Sequence, residues 1–380
     1  MRTLRIPDIL GAMDGFELKT HPDERQVTRE TNEWFARFVF LFVRACAFRL
    51  TSVTLFSYNM LPHDKFDEFV KSEFGLLVGM AYPDTDATRL RVTSDYMSIL
   101  FTYDDLMDLP SSELMHDRMG ADRAAKVMMS VLTEPHEFRP VPGLPVATAF
   151  HEYITLPTIA FDIILTPRCS FWMRFCATST RGMQRRFTEA THEYVLAARN
   201  QVGNRERKEC PTIEEYVALR RDTSAIKVSA LRMIVLVHRH LTVYSQVTYA
   251  CIEYTLQICV PDEAFHHPVI KSLCEAGNDI LSWANDIYSF DNEQANGVRC
   301  TSSELLCLQL TPCMQDCHNL VAVVSIQKNI TVQAAVEYVN SMVLSAIDRF
   351  FMERARVPSF GSEVDPIVQS YIKGVEVYIR

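Results

Sequence analysis

Glycine is scarce, with 12 in 380 residues, and no train of short alternating strands broken by turns every ~8–12 residues is present, which argues against a β-sandwich or barrel. Basic clusters interleaved with aromatics are also missing, and the net charge is −9, so a nucleic-acid partner is not expected. Among 11 cysteines there is no CxxC pair and no zinc spacing. The opening stretch MRTLRIPDILGAMDG lacks the apolar core of a signal peptide, and together these features predict a reducing, cytoplasmic setting. A long uncharged apolar run is absent too. The most apolar window, residues 38–56, carries Arg44 and Arg49 mid-span, so no membrane span is expected.

What is present is a helical period. With 48% hydrophobic and 22% charged residues, the chain is globular and long enough for a large core. From Asp86 to Asp108 the apolar positions Leu90, Val92, Tyr96, Ile99, Leu100, Tyr103 and Met107 recur mostly at three and four, and Pro110 follows as a stop. A second helix is predicted from near Pro268, with Ile270, Leu273, Ala276, Ile280, Leu281, Ala284 and Ile287 in period and Gly297 as its end. No internal repeat, low-complexity tract or linker is read. The expectation is a single all-α domain over residues 1–380.

Each of these two helices carries a polar group that a buried helix would not hold without a use. The first ends in YDDLMD, with Asp104, Asp105 and Asp108. At about 100° per residue Asp104 and Asp108 lie about 40° apart on one face, close enough to bridge hard cations. In solvent, such a cluster is merely an acidic last turn. The second helix contains NDIYSFDNE, in which Asn285, Ser289 and Glu293 stand at i, i+4 and i+8. An amide oxygen, a hydroxyl and a carboxylate then form one column, which is a Mg2+ site by ligand type; the plain alternative is a polar stripe.

The DDLMD and NDIYSFDNE pair resembles the aspartate-rich and NSE motifs of class I terpene synthases. Flanking text such as FGLLVGMAYPD, IEEYVALRRDTSA and VPDEAFHHPVIKSL is similar to that of fungal sesquiterpene synthases. The resemblance implies an all-α class I terpenoid synthase bundle around a central cavity, with the two motifs facing each other and holding three Mg2+ on the diphosphate of farnesyl diphosphate. It implies Asp104, Asp108, Asn285, Ser289 and Glu293 as metal ligands, with Asp105 behind them orienting an arginine. Within LRRDTSA it implies Arg221 as the diphosphate contact, with Ser224 and Ala225 at the linker and helix-breaking positions; Ala225 stands where glycine is frequent. Phe74 and Phe101 are the candidate aromatic faces for a carbocation, although aromatics on helices are more often simple core.

The chain departs from that pattern in two ways. It contains no Arg-Tyr dipeptide, the family's second diphosphate contact. The likeness is also interrupted near residues 41–60, 154–171, 228–246 and 298–315, which together hold Asp162 and Glu304 as their only acids. The third and fourth of these begin with Val and end with Gln, as translated GT…CAG stretches would, and retained introns are one explanation, with the tail VYIR as a further one. Two rival expectations follow. One is a helical protein of this family with impaired or no catalysis. The other is a prenyl-chain-elongating synthase, whose second motif would be another DDxxD.

Overall fold

The computed structural model describes residues 4–45, 70–71, 73–108, 117–133, 171–207, 210–222, 245–297 and 317–380. Their regular structure is entirely helical. The principal helices are α1 (Glu24–Ala45), α2 (Phe74–Ala81), α3 (Ala87–Asp108), α4 (Arg118–Thr133), α5 (Phe171–Thr178), α6 (Arg181–Arg207), α7 (Ile213–Asp222), α8 (Ser245–Leu256), α9 (Pro268–Gly297), α10 (Leu320–Lys328), α11 (Val332–Ala355) and α12 (Asp365–Ile379). The interrupting stretches fall almost wholly outside the described residues, as do Ser224 and Ala225.

The two helices legible in the sequence form where their periods place them, and their starts have local causes. Asp86 accepts a hydrogen bond from the Arg89 backbone N–H at 3.0 Å, which satisfies a first-turn donor of α3. In α9 the starting Pro268 has no N–H to leave unpaired. Asn319 and Thr331 cap α10 and α11 by accepting from Val321 N at 2.9 Å and Ala334 N at 3.3 Å.

Helix α3 packs against α1, α2, α5, α6 and α8, while α9 packs against α7, α8, α10, α11 and α12. Both motif-bearing helices therefore lean on α8. They are wrapped on nearly all sides: every residue from Val92 to Phe101 is buried, and so is the run from Ala276 to Ile287. Each fully buried Ile or Leu on them contributes about 1.5–3 kcal/mol, but the same wrapping forces every polar side chain in the run to find a partner. Asp95 does so through Arg91 Nε at 2.8 Å and Arg174 Nη2 at 2.6 Å.

An aromatic cluster fills the space between α3, α5, α6 and α8. Tyr96 meets Phe187 edge-on at 4.7 Å, and Phe175 lies 4.7 Å from Phe187 and 4.4 Å from Tyr254. The final residues are part of the same core. Tyr378 is buried 5.7 Å from the Tyr82 ring and 6.1 Å from that of Tyr249, Ile379 is fully buried, and Arg380 Nη1 donates to Leu10 O at 2.9 Å. Among the described residues, no single helix is long and apolar enough to cross a membrane.

Candidate functional site

Asp104 lies in the last turn of α3 and is buried. Tyr194 on α6 donates its hydroxyl to Asp104 Oδ1 at 3.0 Å, which fixes the first carboxylate of the DDLMD group. The neighbouring Tyr103 hydroxyl is held above its ordinary pKa, first by burial and then by the Asp104 carboxylate beside it. Asp105 and Asp108 occupy the same final turn of α3, so the i, i+4 relation of Asp104 and Asp108 exists in the backbone. Their side chains lie outside the described residues.

On α9, Asn285 and Ser289 are both buried, one turn apart on the same face. Ser289 Oγ has no hydrogen-bond partner among the described residues, although a buried hydroxyl left unpaired costs roughly 1–3 kcal/mol. Glu293 continues the column one turn further along the same helix, its side chain outside the described residues. The donor set is amide oxygen, hydroxyl and carboxylate, all hard oxygens, and it fits Mg2+ in type. The Ser289 hydroxyl, unpaired among the described residues, leaves one oxygen of that set open.

The two adjacent arginines of α7 part company. Arg221 is half-buried and turns along α9, with Nε 2.9 Å from Asp279 Oδ1, Nη2 2.7 Å from Asp279 Oδ2 and Nη1 3.1 Å from Glu275 Oε2. Arg349 of α11 shares the same Asp279 carboxylate. Arg220 is the arginine that reaches the NDIYSFDNE motif. Its Nη2 lies 3.0 Å from Asn285 Oδ1 and 2.8 Å from Asp286 Oδ1, and it is buried. A surface pair capping a helix near Asp222, the plain reading of the Arg220-Arg221 text, describes neither side chain. Phe74 and Phe101 are stacked, with ring centroids 4.0 Å apart and planes 20° apart, and both are buried.

Sequence reasoning missed Arg220, Asp286, Tyr194 and Tyr216. One signal was available. Asn278, Asp279, Ile280 and Ser282 repeat the order of Asn285, Asp286, Ile287 and Ser289 one heptad earlier, a short echo within α9 that escapes a search for long repeats. In the folded chain each Asp of the echo takes one arginine of α7.

The bundle is that of the class I terpenoid synthases. Germacradien-4-ol synthase from Streptomyces citricolor superposes with a TM-score of 0.67 over 100% of this chain and 95% of that one at 18% identity. An α-eudesmol synthase gives 0.66 over 100% and 96% at 17% identity. The family described as terpene synthase family 2, C-terminal metal binding, matches residues 95–241 and 235–349, and the chain belongs to it. Among curated relatives, it is 28% identical to sesquiterpene synthase Agr1 of Cyclocybe aegerita over 100% of this chain and 85% of that protein. It is 30% identical to sesquiterpene synthase 1 of Postia placenta over 86% and 77%, and 27% identical to the alpha-muurolene synthase of Coprinopsis cinerea over 98% and 70%.

Proposed function

We propose that this chain is a Mg2+-dependent sesquiterpene synthase that ionises farnesyl diphosphate, cyclises the resulting allylic cation and releases diphosphate. The observation that carries the reading is the Asn285–Ser289 column on the buried run of α9, with a buried hydroxyl that finds no partner among the described residues. Asp104, Asp108, Asn285, Ser289 and Glu293 would hold the metals, and Asp105 would orient an arginine behind them. Bound Mg2+ supplies Lewis-acid neutralisation of the leaving diphosphate.

The chain's own contribution is electrostatic and steric. Arg221 offers a guanidinium fork matched to phosphate oxygens, although in this structure it is engaged with Asp279 and Glu275. Transfer of Arg221 to the diphosphate would exchange those carboxylates for phosphate. The aromatic interior would exclude water from the cation, and Phe74 and Phe101, stacked on one another, are the rings this reading assigns to stabilising it. The reading includes a cytoplasmic enzyme with no nucleic-acid or membrane partner.

A second reading, a helical member of the family that has lost turnover, is favoured by a specific observation. The family match breaks into two pieces that meet at residues 235–241, inside the interrupting stretch 228–246 that follows Arg221, and the Arg-Tyr pair is missing. Errors of about 1 Å in a reacting geometry already cost rate. The two readings separate when the purified chain is incubated with Mg2+ and farnesyl diphosphate and the hydrocarbon extract is read by gas chromatography. Cyclic products that vanish in Asn285→Ala support the synthase, and their complete absence supports the relic.

A further inference from the structure

We propose that Arg220, fastened by Asp286, is the positioning residue that turns the oxygen of the Asn285 amide toward its cation; the inference rests on the reading of Asn285 as a metal ligand. Asp286 is fully buried and its carboxylate is held from two elements, α7 and α10. Arg220 donates to Oδ1 through Nε at 3.1 Å and Nη2 at 2.8 Å, while Tyr216 Oη at 2.7 Å and the Leu320 backbone N–H at 3.0 Å donate to Oδ2. Leu320 opens α10, so the carboxylate also sits at the positive end of that helix. Tyr216 and Arg220 are one turn apart on α7 and reach Asp286 together. The Asp286 carbonyl is tied as well, accepting from Asn319 Nδ2 at 2.8 Å.

The remaining contact sets the ligand. Arg220 Nη2 lies 3.0 Å from Asn285, and a guanidinium has donors only. The amide atom facing it is therefore the oxygen. A carbonyl oxygen has two lone pairs, so one remains for a cation once Arg220 has taken the other. If the amide turned over, it would present N–H groups to the metal instead. Asp286 also cancels the charge of Arg220 at 2.8 Å, so the orienting donor brings no net positive charge to the site.

The echo one heptad earlier shows that the local partner decides the orientation. Asn278 meets a carbonyl, and its Nδ2 donates to Arg221 O at 2.8 Å. Its amide is therefore turned the other way, nitrogen toward α7, and its Oδ1 is buried with no hydrogen-bond partner among the described residues. The same Asn-Asp step on the same helix thus gives opposite amide orientations against an acceptor and against a guanidinium.

The test uses Arg220→Lys in the full chain. Lysine keeps the charge and can pair with Asp286, but as a point donor it does not also bridge to Asn285 in the fixed fork of arginine. Mn2+ binding in the presence of inorganic diphosphate is followed by electron paramagnetic resonance, with circular dichroism melting to establish folding. Loss of an orienting group of this kind lowers metal affinity about 10- to 100-fold. That loss is expected for Arg220→Lys, and Arg220→Lys combined with Asn285→Ala should bind no more weakly than Asn285→Ala alone. If Asn285→Ala loses Mn2+ and folded Arg220→Lys does not, Arg220 is not the positioning residue and the ligand reading survives. If Asn285→Ala binds as the unaltered chain does, the ligand reading itself fails. Should Arg220→Lys not fold, Tyr216→Phe removes one donor from Asp286 and leaves Arg220 in place. A several-fold loss of affinity there supports the proposal, and none overturns it.

Discussion

Tyr194 and Asp104 are 90 residues apart in sequence and 3.0 Å apart in the fold, hydroxyl to carboxylate. The bond ties α6 to the last turn of α3, so the acidic motif is held from across the bundle. Tyr194→Phe removes a hydrogen bond to a charged group, worth about 1.5–3 kcal/mol when buried. The urea midpoint of the variant should fall with an unchanged slope, and an unchanged midpoint would mean that the bond carries no stability.

Asp262 provides a pH signature remote from the site. Arg185 donates to it at 2.7 Å and Arg186 at 2.6 Å, and these hydrogen bonds hold its carboxyl down to about 2, against an ordinary 3.8. Because the folded value is the lower one, the stabilising contribution is complete above about pH 4, shrinks as the pH falls and is gone below about pH 2. Asp262→Asn should therefore melt below the unaltered chain at neutral pH by an amount that disappears near pH 2. A difference independent of pH over that window would contradict the assignment.

Thiol reactivity should be uneven. Burial pushes the Cys251 thiol up to about 12 and that of Cys176 up to about 11. A hydrogen bond from Cys317 lowers that of the exposed Cys210. Brief alkylation of the native chain near pH 7.5, read by peptide mass spectrometry, should mark Cys210 well before Cys251 and Cys176. Equal labelling of the three would contradict this packing.

Gly75 is a position where space rather than backbone conformation requires glycine. A methyl group there would overlap Thr28 Oγ1 and Cβ on α1, and Thr28 is itself fixed by a 2.8 Å hydrogen bond to Glu24 Oε1. Gly75→Ala should destabilise the α1–α2 contact by about 1–3 kcal/mol, visible as a lower thermal midpoint. No shift would show that α1 yields freely.

Much of this was legible in the chain. The apolar periods of α3 and α9 gave both helices, while the stops expected at Pro110 and after Gly297 lie at or beyond the edge of the described residues. The oxygen-donor column of Asn285 and Ser289 could be read because helical spacing is local. The arginines could not be read in the same way. In LRRDTSA nothing distinguishes Arg220 from Arg221, and a charged pair beside Asp222 looks solvated. Only the packing of α7 on α9 buries Arg220 against Asp286 and sends Arg221 toward Asp279. Tyr194 was invisible for the same reason, since its partner is set by the docking of α6 on α3. The tail VYIR, read in the sequence as a further retained intron, packs into the core through Tyr378 and Ile379, where two tyrosine rings from α8 and the α2 end give it a place.

The most direct measurement is release of inorganic diphosphate from farnesyl diphosphate by the full chain, with Mg2+ and with the metal chelated. Release should require the metal and fall at least about 10²-fold in Asn285→Ala, the range lost when one preorganised charge-stabilising group is removed. Release that is absent with Mg2+, or that persists unchanged in Asn285→Ala or under chelation, would contradict the synthase reading.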